Sequence, residues 1–389
     1  MEMVLLCIAW LTLTHLLFTL IEFTIGFTSI KDLRQETNLA TPQLPSVSII
    51  FSALNEEATL ETAARSLLNL NYPKMEIIAI NDRSTDATPH ILSNLAEQYG
   101  HLKVYHIQQL PENWLGKNHA LHFAAEKAQG EWLLFTDADV IVAPEILTKA
   151  VSFAIKNKLD HLTIYERHLR NNFWLKVILL GSYISYCMAF KPWRVSKPWS
   201  KKSIGHGAFN LVKKDVYQAV GGHRCIALSC LDDLMLGKII KNKGYKQAIV
   251  TGGDWVKREW YQTGSDMIEG LKKNSFAFFN FSSLAVAANY LFAFIYYFLP
   301  LLMVIIFSGP LGWVNGLNII LTFIISIRVA IAFRMNPFFA FLYPLSMVMI
   351  LYIVLISLLS TYKNKGVIWR DTHYPLEKLK HHQLTVNEP

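Results

Sequence analysis

Four long apolar runs constrain this chain more than any other feature. They are Met3–Phe27, Ser283–Phe307, Leu311–Phe333 and Pro337–Thr361. Each is long enough to cross a bilayer as a helix, for which about 20 residues suffice. Only 17% of the 389 residues are charged, whereas a soluble domain carries about a quarter. The first run contains Glu22, His15 and a few hydroxyls. A cleaved signal peptide is its rival reading, but the run is too long, no basic residue precedes it and no A-x-A-like site closes it. Lys31 and Arg34 follow at once, so the next domain is expected in the cytoplasm. The far end of the chain holds a conflict. One crossing before that domain and three after it would put the tail outside. Lys363, Lys365 and Arg370 favour inside; Arg328 and Arg334 also favour inside for the loop before the last run, and that loop agrees with three crossings. Either the tail charges are overruled, or one segment is re-entrant or interfacial.

Between the apolar runs, strand and helix patterns alternate. Strands are expected at Val47–Ser52, Met75–Ile80, Lys103–Ile107 and Glu131–Phe135. Helical patterns cover Glu57–Leu70 (apolar at Leu60, Ala63, Ala64, Leu67 and Leu68), Pro89–Tyr99, a segment opening at Trp114–Leu121, and Pro144–Lys158. Such alternation implies an α/β fold with a mostly parallel, doubly wound sheet. Ligands of such sheets bind beyond the carboxyl ends of the strands. Three polar clusters stand there: Asn55-Glu56-Glu57, Asp82 to Thr88, and Asp137 with Asp139. On a strand, i and i+2 share a face. Asp137 and Asp139 are therefore expected to aim at one point, where a hard dication held by carboxylate and substrate phosphates fits. The plainer reading is a solvated turn.

Phe173–Phe190 mixes apolar, aromatic and hydroxyl residues, and is expected to lie in a membrane interface. A soluble core helix is the alternative. Lys191, Arg194, Lys197, Lys201 and Lys202, with Trp193 and Trp199, follow it as a headgroup-zone signature. Gly205–Val212 is expected to be a glycine-led strand, and a helix follows Asp232-Asp233. One of these carboxylates can cap that helix while the other does chemistry. The formal charge is +8 without any dense basic block, which argues against nucleic acid. Cys7, Cys187, Cys225 and Cys230 have no zinc-like spacing and are expected to be reduced thiols. The expected domains are an anchor at 1–30, a cytoplasmic catalytic domain at 45–275, a transmembrane region at 280–361 and a polar tail at 362–389.

Seven segments in order carry a resemblance: Val47–Glu57, Asn81–Thr88, Trp114–Leu121, Thr136–Val140, Gly205–Gly222, Leu231–Gly237 and Arg258–Trp260. As a set they resemble family 2 glycosyltransferases of the GT-A fold, in the membrane-anchored, lipid-modifying branch. Ceramide glucosyltransferases and bacterial enzymes acting on carotenoid or hopanoid-type lipids belong to that branch. The resemblance covers residues 45–275, and the flanking segments by layout alone. It implies a GT-A domain with one N-terminal and about three C-terminal transmembrane helices, integral to a bacterial inner membrane. It also implies inverting, single transfer of a sugar from a nucleotide-sugar, a UDP-sugar, to a membrane lipid.

The resemblance further implies residue roles. Asp82 would hold the base, with Ala53, Asn55 and Glu56 lining the nucleotide side. Lys117 would approach the diphosphate, and Asp137 would bind ribose or sugar hydroxyls. Asp139 would ligate Mg²⁺ or Mn²⁺. Gly207 and Asp232 would stand on the acceptor side, with Asp233 as general base. Arg258 would stabilise the leaving diphosphate, and Trp260 would line the sugar or acceptor site. The chain departs from the family in having Asn81 for an acidic residue, Asp232-Asp233 for Glu-Asp, and Arg258-Glu259-Trp260 for Q-x-x-R-W. A processive polysaccharide synthase would usually carry more segments and an intact Q-x-x-R-W. An inactive membrane scaffold or lipid-binding protein is the reading from another class. Gly116-Lys117 lacks the rest of a phosphate-loop motif.

Overall fold

The computed structural model describes residues 1–168, 172–258, 261–370 and 372–387. The chain forms two compact units. One gathers Met1–Ser29, Arg170–Lys191 and Tyr261–Leu376; the other gathers Ile30–Leu169, Pro192–Trp260 and Glu377–Pro389.

The second unit is built on a sheet. Its strands are β1 (Val47–Ala53), β2 (Met75–Asp82), β3 (Leu102–Ile107), β4 (Trp132–Phe135), β5 (Val140–Val142), β6 (His161–Tyr165), β7 (Arg167–His168), β8 (Asn210–Lys213), β9 (Gln247–Thr251) and β10 (Val256–Arg258). Seven of them form the main sheet in the order β3-β2-β1-β4-β8-β6-β9. The β3-β2-β1-β4 half is parallel throughout. β8 runs antiparallel to both β4 and β6, while β9 is parallel to β6. The expected mostly parallel α/β sheet is present. Buried on one or both faces, β1 and β2 are apolar runs rather than alternating ones, as in sheets covered by helices. Helix Leu60–Leu68 buries the five positions whose spacing marks it in the sequence. The core continues through Ile49, Phe51, Ile77, Leu134, Leu162 and Val250.

A second sheet, β5-β10-β7, stands beside the carboxyl ends of the first. Its strands are two or three residues long. Arg258 pairs with Val140 on one side and His168 on the other. Gly205–Val212 is only partly a strand: β8 begins at Asn210, and the glycine-containing residues before it form a loop.

The other unit contains the apolar helices. Among the described residues, five helices are long and apolar enough to cross a membrane: Glu2–Ser29, Phe173–Arg194, Ser283–Ile306, Pro310–Ala332 and Pro337–Lys363. The third is interrupted by a π-type turn at Phe294–Phe298, just before Pro300. Proline has no N–H for the helical ladder, and a wide turn absorbs the defect. Phe173–Phe190 is opened by Asn172, whose side chain accepts from the Trp174 and Leu175 amides. It buries Leu175, Ile178, Leu179 and Tyr183 within this unit and packs against Tyr343–Lys363. It is therefore a packed member of the helical unit, because Gly181 admits Ser346 and Ile350 against its backbone. Glu22, the charge inside the first apolar run, meets Lys191 Nζ at 2.7 Å. A charge within an apolar bundle is tolerable only with such a partner.

The contacts also fix the directions of these helices. Ser283–Ile306 and Pro310–Ala332 form a hairpin of near-equal arms, 24 and 23 residues, packed through Met303, Leu311 and Val314. Glu2–Ser29 runs parallel to the second arm. Asn318 Nδ2 donates to the Ala9 carbonyl at 3.1 Å near the start, and Phe27 meets Phe333 near the end. Rings of Phe333, Tyr186, Phe190 and Phe278 then lead across that same end. Tyr343–Lys363 runs antiparallel to the first arm: Tyr297 faces Tyr343, Tyr290 bonds the Leu351 carbonyl, and Ser283 bonds Tyr362. Residues 334–342 thus climb back along the second arm, where Phe341 packs on Phe323. The last apolar segment starts partway along the bundle and finishes at the end where residues 333 and 283 lie. Arg334, Lys363 and Lys365 thus lie at the same end of this helical unit.

Candidate active site

The carboxyl end of the parallel half-sheet collects the expected polar clusters, and local hydrogen bonds shape them. Beyond β1, Asn55 takes a left-handed conformation (φ 55°). Its Oδ1 accepts from the Thr85 amide at 2.8 Å, and its own amide donates to Ser84 Oγ. Glu56 N–H donates to Thr88 Oγ1. Glu57 Oε2 accepts from Ala87, and Asp86 Oδ2 accepts from Glu57. The loops after β1 and β2 are therefore stapled to each other, with buried Ala53 beneath them. Asn81, the neutral departure, is used structurally: it bonds His106 and the Ser84 amide.

Asp82 is buried and clasped by its own neighbour. Arg83 Nε and Nη2 donate to its two carboxylate oxygens at 2.7 and 3.0 Å. Arg83 reaches back because its φ is 62°. Gly116 allows the next loop to close over this pair, since a Cβ there would lie 2.5 Å from Asp82 Oδ2.

Asp137 and Asp139 differ from expectation in their origin. β4 ends at Phe135, and the pair follows in a turn. Strand pleating cannot be what converges them. Arg258 does so: Nη1 meets Asp137 Oδ2 at 3.0 Å and Nε meets Asp139 Oδ2 at 2.9 Å. Lys117 completes the cluster by bridging Asp137 Oδ1 (2.9 Å) and Asp232 Oδ2 (3.0 Å). Burial alone would lower the pKa of Lys117 and of Arg258. The carboxylates around each outweigh it and raise both. Asp139 is raised by burial and by Asp137, with Arg258 opposing.

Asp233 begins the helix Asp232–Asn242, whose N-cap is Leu231 and not either aspartate. One oxygen of Asp233 accepts from the Leu234 amide, and the other accepts from Gly207 N–H at 2.8 Å. Both aspartates are thus engaged, Asp232 with Lys117 and Asp233 with backbone. Burial and the neighbouring Asp232 push Asp233 up to about 7. Gly207 lies between the two acidic groups: a Cβ on it would come within 2.6 Å of Asp137 Oδ2. Trp260 lies outside the described residues.

The sequence reading passed over three side chains beside this cluster. His168 pairs with Arg258 across β7 and β10, Glu166 Oε2 is 3.4 Å from His206 Nδ1, and the charges of Glu166 and Arg258 act on each other. Arg83 was within a quoted motif but had no role there. For His206 the flanking glycines were the available signal; Glu166 had none.

The donor set bears on a metal. Among the described residues, no group of three or more His, Cys, Asp or Glu side chains is arranged to hold an ion. Asp139 Oδ1, however, is buried and makes no hydrogen bond. One free carboxylate oxygen fits a hard dication whose remaining ligands are phosphate oxygens and water.

Residues 48–221 match Glycosyl transferase family 2. The chain is 33% identical over 183 residues to a beta-monoglucosyldiacylglycerol synthase of Nostoc sp., covering 46% of this chain and 38% of that protein. It is 22% identical over 226 residues to the 4,4'-diaponeurosporenoate glycosyltransferase of Staphylococcus aureus, covering 58% and 59% of the two chains. The chain thus matches less than two thirds of the length of these relatives. A mannosyltransferase from Pyrobaculum calidifontis, solved with GDP-Man and Mn²⁺, superposes with a TM-score of 0.56. That comparison covers 93% of this chain and all of the other at 18% identity, and the likeness is one of fold.

Proposed function

We propose, from the match of residues 48–221 to Glycosyl transferase family 2, that this chain moves a sugar from a nucleotide-sugar to a membrane lipid, once per acceptor and with inversion. The observation that carries this reading is the cluster in which Lys117 and Arg258 gather Asp137, Asp139 and Asp232, with Asp233 held next to it by Gly207. Cations stand where a diphosphate would leave, and a carboxylate with pKa about 7 stands beside them.

In the proposed reaction the bond between the anomeric carbon and the diphosphate oxygen breaks. A bond from that carbon to the acceptor oxygen forms, and the acceptor proton passes to Asp233. A base near neutrality suits that role, and such catalysis is worth about 10²–10⁴-fold. Lys117 and Arg258 stabilise the negative charge that grows on the leaving diphosphate. Asp139 would hold Mg²⁺ or Mn²⁺, which when bound supplies further charge stabilisation at the diphosphate. Asp82 would accept from a base N–H once Arg83 moves aside, with Asn55 and Glu56 on the nucleotide side; a uracil base, hence a UDP-sugar, is proposed. Gly207 and Asp232 would border the acceptor. The lipid relatives and the five apolar helices support an acceptor that stays in the bilayer. The basic residues at one end of the bundle support a cytoplasmic catalytic domain in a bacterial inner membrane.

The experiment is a transfer and donor-hydrolysis assay on membranes. It would offer nucleotide-sugars and a total lipid extract, with and without Mn²⁺, to the wild type, Asp139→Ala and Asp233→Ala. Metal-dependent glycolipid formation lost in both variants is the expected result. A wild type that neither binds nor cleaves any donor would overturn the reading, and a product retaining the donor's anomeric configuration would remove the inversion.

A further inference from the structure

We propose that Glu166 is a positioning residue of this transfer, setting Arg258 on the leaving-group side and, through His206, the Gly207 amide on the base side. The inference rests on the transferase reading above. Glu166 follows β6 directly and precedes β7. It is 7% exposed. On β7, His168 pairs in register with Arg258 of β10, so these two side chains share a face. Glu166 stands between the two strands, and its charge acts on both His168 and Arg258. Arg258 therefore meets Asp137 and Asp139 directly and feels the charge of Glu166 as a third carboxylate.

A buried carboxylate would normally take up a proton. Glu166 does not: burial pushes its pKa up, but His206, His168 and Arg258 together bring it below the ordinary value. Burial keeps His168, at about 4, and His206 below their ordinary pKa values. Arg258 is the permanent cation among the three groups that act on Glu166. Its Oε2 makes no hydrogen bond and lies 3.4 Å from His206 Nδ1. The His206 amide is fixed on Thr163 Oγ1, and its ring meets Tyr165 edge-on. The next residue, Gly207, gives its N–H to Asp233. One carboxylate thereby touches both halves of the site. In this proposal Glu166 adds a third carboxylate to the hold on Arg258 and helps to fix its guanidinium where a substrate would meet it.

The test compares Glu166→Gln and Glu166→Asp with the full-length wild type in membranes, reading donor KM and kcat separately. An active wild type is the control for the transferase reading; if it is inactive, that reading has failed and not this one. Glu166→Gln keeps the shape and removes the charge. It should raise donor KM and lower kcat, each by about tenfold or more, as misplaced catalytic groups do. Glu166→Asp should recover part of both, while thermal unfolding stays near the wild type. If Glu166→Gln does not fold, His206→Gln provides the second reading and should lower kcat with little change in donor KM. Either variant, folded and within twofold of wild type in both constants, would overturn the proposal.

Discussion

Two acidic sites at the end of one sheet are neutralised in opposite ways. Asp82 is held by the next residue, Arg83, in a pair that needs only a local turn. Asp137 is held by Lys117 from the first turn of the helix Gly116–Lys127, and Asp137 and Asp139 together by Arg258, 119 residues beyond Asp139. The local pair can open by one side-chain movement and leave the fold unchanged. The distributed cluster cannot be loosened without shifting β10 or that helix. On the proposed function, the first suits a group that must change partners when a base arrives. The second suits charges that must already be in place when the bond breaks.

Substitutions can break that contrast. The largest effect is expected at the general base: Asp233→Asn should lower kcat by about 10²–10⁴-fold with donor KM little changed. Single-turnover transfer with radiolabelled donor would show it, and a loss confined to KM would move Asp233 into the binding half. Arg258→Lys comes next. It keeps the charge but cannot reach Asp137 and Asp139 as a fork, and transfer should fall about 10²-fold. A near-normal rate would mean that charge alone, without geometry, serves the distributed cluster.

Acidity separates the two sites in another way. Asp233 must be ionised to act as base and has a pKa of about 7. The kcat profile should rise through neutrality and level off above it, falling by about tenfold for each unit of pH below the pKa. Asp233→Asn should abolish this limb. Arg83→Ala should have the smallest effect, a fall in donor KM of about threefold at unchanged kcat, since it removes a competitor for Asp82 whose hydrogen bonds have a modest net worth. Isothermal titration with UDP would measure it. A rise in KM would mean that Arg83 itself contacts the donor.

The same division explains what the sequence made legible. β1, β2 and β4 are largely apolar runs with polar residues at their ends, and the helix Leu60–Leu68 between the first two repeats at helical spacing. Such signals are local, and Asp82, Asp137 and Asp139 could be read from them. β5, β7 and β10 have two or three residues each and no periodicity. Arg258 was singled out from a partial motif, but its grip on both aspartates depends on a register set by the fold. Glu166 stood after a short strand with nothing nearby to mark it. The D-x-D pair illustrates the hazard of a correct answer from the wrong cause: it converges, yet on a turn and through an arginine. The direction of the last helix was equally hidden, since composition cannot reveal that residues 334–342 double back.

That doubling back has a practical consequence for protection experiments. Of the three C-terminal apolar segments, only the hairpin reaches the far end of the bundle, and it turns there through Phe307, Ser308 and Gly309. In a sealed vesicle, a protease on that side would meet that three-residue bend and the Met1 end of the first helix, and the chain would resist cutting. From the opposite side, the same protease would find Arg334, Lys363 and Lys365. Digestion should therefore depend sharply on which way the vesicle faces.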